Sequence, residues 1–284
     1  DGGRTWPLET MTTVYRRPEW DKTTFNAPAY PTPPSTPIAP AKDGFCLICG
    51  YGIPPQEGPD RAFVVLSTDR GRTWSQPTRL PPCGFASLGG RPSYIQRPDG
   101  MLLLFCHGSR AAAPTADPKA AAASEGSAVP LVYGSWDGGT SWGLIAEMEL
   151  CPARPMGIMP YPLLLPSGRI LAAVRRQYNG YNAYTQVYAS DDGGLSWRLF
   201  SRVNEWGAPA NLVLLPGGQI VCVYGYRQRP WGIRARVSSD GGASWGPEIT
   251  VRDDGGSRDL GYPRTLANAD GSLTNHFIVV RNGD

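Results

Sequence analysis

The sequence predicts an all-β protein, a β-propeller of six blades whose first and last blades are incomplete. Three observations predict it. A turn motif recurs five times, a second hairpin pattern recurs between the copies, and no segment sustains the 3.6-residue period of an amphipathic helix. Composition points the same way. Gly 35 and Pro 29 among 284 residues favour many turns over long helices, and a hydrophobic content of 41% supplies a sizeable core.

The turn motif has the form S-x-D-x-G-x-[T/S]-W, the Asp-box pattern. Full copies run from Ser67 to Trp74, Ser135 to Trp142, Ser190 to Trp197 and Ser238 to Trp245, and the chain opens with a clipped copy, Asp1-Gly2-Gly3-Arg4-Thr5-Trp6. The chemistry is that of a hairpin. The aspartate accepts backbone N–H groups across the turn, glycine supplies a positive φ, and tryptophan packs between neighbouring units. Two copies also spell G-x-S-x-G, at 139–143 and 242–246. A nucleophile elbow needs a strand-to-helix turn, so the repeat context makes these serines structural.

The second pattern is an apolar strand, a glycine turn and another apolar strand. It occurs as Pro92–Gly100–Phe105, Pro162–Gly168–Val174, Asn211–Gly218–Val223 and Pro263–Gly271–Val280. An inner hairpin followed by an Asp-box hairpin makes four strands, one propeller blade. The chain is therefore expected to be a single domain over 1–284, with an Ala-rich surface loop inserted at 111–128.

Charge and cysteine content narrow the function. A net charge of +3 gives no electrostatic case for nucleic acid or a membrane surface, and no apolar run reaches the roughly 18 residues of a membrane span. No signal peptide is visible, but the sequence opens inside a motif, Asp1-Gly2-Gly3, so this says nothing of a leader. Six scattered cysteines are expected as buried free thiols. Cys46 and Cys49 fall on a strand, where residues three apart face opposite ways and make a poor zinc half-site. With two histidines in all, neither a metal nor another cofactor is expected.

Inner strands begin at one end of a propeller's channel and turn at the other. The start of the first strand and the end of the second therefore share a rim. Strand starts carry Arg91, Tyr161, Asn211, Tyr262 and Arg264. Strand ends carry His107, Arg110, Arg175, Arg176, Tyr226, Arg227 and Arg229. Arginines from separate units on one rim suit an anion, a carboxylate above all, held by bidentate hydrogen bonds. The alternative is a set of solvated or acid-paired rim residues.

With these motifs the chain resembles the sialidase (neuraminidase) superfamily over essentially its whole length. The resemblance implies six blades, an arginine cluster for the substrate carboxylate, a tyrosine nucleophile activated by a glutamate, and an aspartate acid/base. Gly261-Tyr262-Pro263-Arg264-Thr265-Leu266 with Asp270-Gly271 resembles the segment bearing the tyrosine. Pro166-Ser167-Gly168 through Arg175 resembles one arginine segment, and Arg227 or Arg229 stands where another is expected. Arg91 and Arg176 are further candidates for the carboxylate. The chain also departs from the pattern. Met159-Pro160 stands where the glutamate belongs, leaving Glu205 as the nearest acid. Asp259 and Asp21 are candidates for the acid/base, and Tyr15-Arg16-Arg17-Pro18 is a weak substitute for the first arginine motif.

The implied activity is release of terminal sialic acid or a related acidic sugar, with Tyr262, Glu205 and Asp259 as the catalytic candidates. A neutral phenol suits this substrate because a carboxylate nucleophile would be repelled by the acid on the anomeric carbon. The alternatives are a hydrolase or lyase acting on a uronic acid, and a non-catalytic carbohydrate-binding propeller with Trp206 and Trp231 among its aromatics. The partner is thus an acidic carbohydrate, the chain is expected to be monomeric, and the resemblance favours a secreted or periplasmic setting.

Overall fold

The computed structural model describes residues 46–53, 61–69, 72–110, 128–149, 156–177, 182–268 and 270–278, with the side chains of 46–53, 61, 90–92 and 278 excepted. The clipped first box, Tyr15 to Asp21, Cys151 and residues 111–127 of the Ala-rich segment lie outside the described residues.

Among the described residues all regular structure is β, seventeen strands in five antiparallel sheets. The first holds β1 (Cys46–Ile53), β2 (Arg61–Ser67) and β3 (Thr78–Arg79). Three four-stranded sheets follow. One is β4 (Ser87–Gln96), β5 (Leu102–Ser109), β6 (Ala128–Ser135) and β7 (Gly143–Glu147). The next is β8 (Met156–Leu164), β9 (Ile170–Gln177), β10 (Ala183–Ser190) and β11 (Arg198–Arg202). The third is β12 (Ala210–Leu214), β13 (Ile220–Tyr226), β14 (Gly232–Ser238) and β15 (Ile249–Arg252). β16 (Gly261–Ala267) and β17 (Leu273–Ile278) make the last pair. Strands lie in sequence order within each sheet, β1 touches β4, and first strand touches first strand from β4 to β8, β12 and β16. This is the β-propeller arrangement. The described residues supply five sheets, of which β1–β3 holds second, third and fourth strands and β16–β17 holds first and second.

Each inner hairpin turns on a left-handed glycine: Gly100, Gly168, Gly218 and Gly271 have φ between 81° and 88°, where a side chain would be strained. Each described box closes a third strand onto a fourth. In the third sheet Asp192 Oδ1 accepts the Ser196 N–H at 3.0 Å and the Ser190 hydroxyl at 2.8 Å, while the Gly194 N–H donates to Ser190 Oγ at 2.8 Å. The serines of the two G-x-S-x-G strings serve the same turn: Ser141 and Ser244 each donate to their box aspartate at 2.5 Å.

Strand alternation builds the core between sheets. On β5, Leu102, Leu104 and Cys106 pack with Ala62, Val64 and Leu80, whereas Leu103 and Phe105 pack with Ile170, Ala172 and Val174. The box tryptophan completes that layer, Trp197 meeting Phe105 edge-on at 5.6 Å. Cys106 and Cys222 are buried free thiols as expected, but Cys83 is exposed because it sits in the turn leading into β4.

Candidate functional site

Alternation along β9 sorts its two arginines. Leu171 and Ala173 face the β12–β13 sheet, and Arg175 continues that row. Ile170, Ala172 and Val174 face the β4–β7 side, and Arg176 continues that one. Both are buried, at 7% and 0% exposure, with different partners. Arg176 donates to Gln186 Oε1 at 2.6 Å and to the Tyr188 hydroxyl at 2.7 Å, both on β10 of its own sheet. Arg175 instead comes into range of Arg227, the Tyr262 hydroxyl and Asp259.

Those three arrive from two further sheets. Arg227, just after β13, is anchored by its Nε–H to the Ala208 carbonyl at 3.0 Å and by an Nη2–H to the Leu260 carbonyl at 3.3 Å. Its Nη1 lies 3.5 Å from Asp259 Oδ1, and its guanidinium stands 5.4 Å from the centre of the Tyr262 ring. Tyr262 opens β16 and donates its hydroxyl to Asp259 Oδ1 at 3.4 Å. Two cations, a phenol and one carboxylate thus form a single cluster.

The electrostatics suit an anion. Burial, then the charge of Arg227, pushes the Arg175 guanidinium below its usual proton affinity, and Tyr262 and Asp259 pull it back. Its Nε–H is buried without an acceptor. Beyond it lies His107, whose Nδ1 accepts the Met159 N–H at 3.4 Å. Burial and the charge of Arg175 push His107 down to about 4, so it is neutral at pH 7.

A cleft adjoins the cluster, lined by Met159, Pro160, Tyr161, Pro209, Ala210, Tyr262, Pro263 and Arg264, from the starts of β8, β12 and β16. Met159 and Tyr262 both hold left-handed backbone, with φ of 53° and 54°. That conformation is rare outside glycine and gathers at functional sites. Both stand nine residues ahead of their turn glycine, as Arg91 does in β4. In each of these strands the register shifts at this point, so one device recurs at the start of three inner strands.

The other expected residues lie elsewhere. Glu205 is a surface residue paired with Arg202 at 2.6 Å and 71% exposed, outside the cluster; the connection after β11 carries it over the sheet before the chain turns in to Pro209. Arg229 is exposed, with its guanidinium 4.8 Å from the Trp231 ring. Arg91 lies on β4, but its side chain is not among those described. Arg264 lines the cleft 5.0 Å from the Tyr161 ring, and Asn211 takes the Thr265 N–H at 2.5 Å. Arg264 was legible only as a strand-start residue. Nothing in the sequence marks Met159 as a wall beyond its spacing to Gly168.

Residues 42–274 match the family model described as BNR repeat-like domain. No curated protein sequence matches the chain. Among solved structures it is similar to a protein of unknown function from Dyadobacter fermentans, with a TM-score of 0.67 at 23% identity, covering 85% of this chain and 71% of that one. It is also similar to the GH93 α-L-arabinofuranosidase of Fusarium graminearum, with a TM-score of 0.63 at 14% identity over 83% and 72% of the two chains. NanB sialidase from Streptococcus pneumoniae gives 0.60 at 14% identity, over 87% of this chain and 55% of that one. At these identities the likeness is one of fold.

Proposed function

The chain belongs to the BNR repeat-like domain family, and on that premise we propose that it is a glycoside hydrolase acting on a terminal acidic sugar, sialic acid being the first candidate. One observation carries this: Arg227 and Tyr262, from two different sheets, both reach Asp259 Oδ1, and Arg175 from a third sheet comes into range of Tyr262 and Arg227. Arg175 and Arg227 hold the substrate carboxylate, which relieves the repulsion between them and gives the buried Arg175 an acceptor. Tyr262 attacks the anomeric carbon as its hydroxyl proton passes to Asp259, and the glycosidic bond breaks as that proton is delivered to the leaving oxygen; water then attacks the anomeric carbon of the glycosyl–tyrosine, its oxygen going to the sugar and a proton back to Tyr262, with net retention. The names of the similar structures support a glycosidase without selecting the sugar, since one hydrolyses arabinofuranosides and another is a sialidase.

The test is turnover of aryl glycosides of sialic acid, a uronic acid and arabinofuranose. The sialoside should be hydrolysed, and Tyr262→Phe should lower kcat by roughly a thousandfold or more. Full activity in Tyr262→Phe excludes the tyrosine mechanism, and preference for the arabinofuranoside excludes the acidic sugar.

A second reading, sugar binding without cleavage, is favoured by one feature. None of the residues lining the cleft is a carboxylate, and Met159 holds the wall beside Tyr262. Sialoside binding by the unaltered chain, with no product released over hours, would select it.

A further inference from the structure

A terminal sugar held at Arg175, Arg227 and Tyr262 leaves open what that sugar is attached to. Among the described residues two tryptophans are largely exposed, Trp136 at 68% and Trp206 at 44%. Trp136 stands in a box turn, at the end of its sheet away from the cleft, with the Arg97 guanidinium 5.7 Å from its ring centre. Trp206 is at the cleft's own end. It lies in the connection from the outer strand β11 to the inner strand β12, three residues before Pro209 in the cleft wall. Three residues span at most about 10 Å.

That connection is held on both sides. The Gly207 N–H donates to the Ala183 carbonyl at 2.8 Å, and the Thr185 hydroxyl donates to the Gly207 carbonyl at 2.8 Å. The Thr185 N–H donates to Asn204 Oδ1 at 3.0 Å, and the Ala208 N–H to the Gly225 carbonyl at 3.0 Å. Gly207 is seated so closely that a Cβ there would come within 2.4 Å of the Tyr224 ring. A fixed frame therefore presents the indole to solvent. Its chain neighbour Glu205 pairs with Arg202, whose guanidinium stands 4.1 Å from the centre of the Tyr184 ring. A flat apolar ring next to exposed hydrogen-bonding groups complements a sugar, whose C–H face stacks while its hydroxyls find polar partners.

We propose that Trp206 is the platform for the second sugar, the one to which the terminal acidic sugar is linked. The natural substrate is then an extended glycan rather than a small glycoside. This rests on the carbohydrate reading above, and the experiment separates the two.

The Tyr262→Phe chain, used to prevent turnover, is titrated calorimetrically with sialyllactose and with methyl α-sialoside, and so is the Tyr262→Phe, Trp206→Ala double variant. The loss of Trp206 should weaken sialyllactose about tenfold and leave the methyl sialoside within twofold, with Trp206→Phe recovering most of the difference. Equal weakening of both ligands, or no weakening of sialyllactose, overturns the platform. Absence of hydrolysis by the unaltered chain defeats the catalytic reading and leaves these binding constants able to support the platform. A chain that binds neither ligand overturns both.

Discussion

Arg175 and Arg176 are neighbours in sequence and opposites in use. A strand sends consecutive side chains to opposite faces, so one guanidinium reaches the cluster and the other is consumed by Gln186 and Tyr188. Two predictions separate them. Arg175→Met should weaken binding of an acidic sugar by roughly a hundredfold, the order expected for lost charge-assisted hydrogen bonds, and leave the melting temperature nearly unchanged. Arg176→Met should remove the guanidinium hydrogen bonds to Gln186 and Tyr188 and cost roughly 1–3 kcal/mol of stability, with little change in affinity for folded protein. Calorimetry and denaturant unfolding read the two effects. His107 adds a pH dependence. Its folded value of about 4 lies below the ordinary 6.5, so between those values the unfolded chain binds the proton and the folded one does not. Stability from this group should fall as pH drops from about 6.5 to 4, and the slope should flatten in His107→Gln.

At the scale of the element, the Asp box is a self-contained turn. The Ser141 hydroxyl, then the Ser141 N–H and the Ser135 hydroxyl, hold the Asp137 carboxyl down at about 2. A depressed carboxylate stabilises above its unfolded value and loses that effect as pH falls towards its folded one. Asp137→Ala should therefore melt roughly a few degrees lower at pH 7, and the gap to the unaltered chain should close between about pH 4 and 2. Scanning calorimetry across that range checks it. The box and the inner hairpin are both legible in the sequence, because each is specified by residues within eighteen positions of one another. The register shifts at Met159 and Tyr262 are not, since a left-handed residue ahead of proline is imposed by neighbouring sheets and leaves no composition of its own.

At the scale of the molecule, stability is lateral. Phe105 is fully buried and carries the contact from the β4–β7 sheet to Trp197 of the next. Phe105→Ala should cost about 3–5 kcal/mol, measured by denaturant unfolding, while affinity of the remaining folded protein is unchanged because the cluster draws on the later sheets. The cluster is assembled by the arc itself. Arg175, Arg227 and Tyr262 are separated by 52 and 35 positions along the chain and meet only because successive sheets set their strand ends side by side.

Repetition is a property of the linear chain, so the tandem boxes and glycine turns were enough to specify strands and their grouping into sheets. Proximity is not. Which of two adjacent arginines faces the tyrosine, and that Met159 and Arg264 share a wall with Tyr262, depend on how sheets rotate against one another. That rotation is set by packing across interfaces whose two sides lie some fifty residues apart, and no local pattern encodes it.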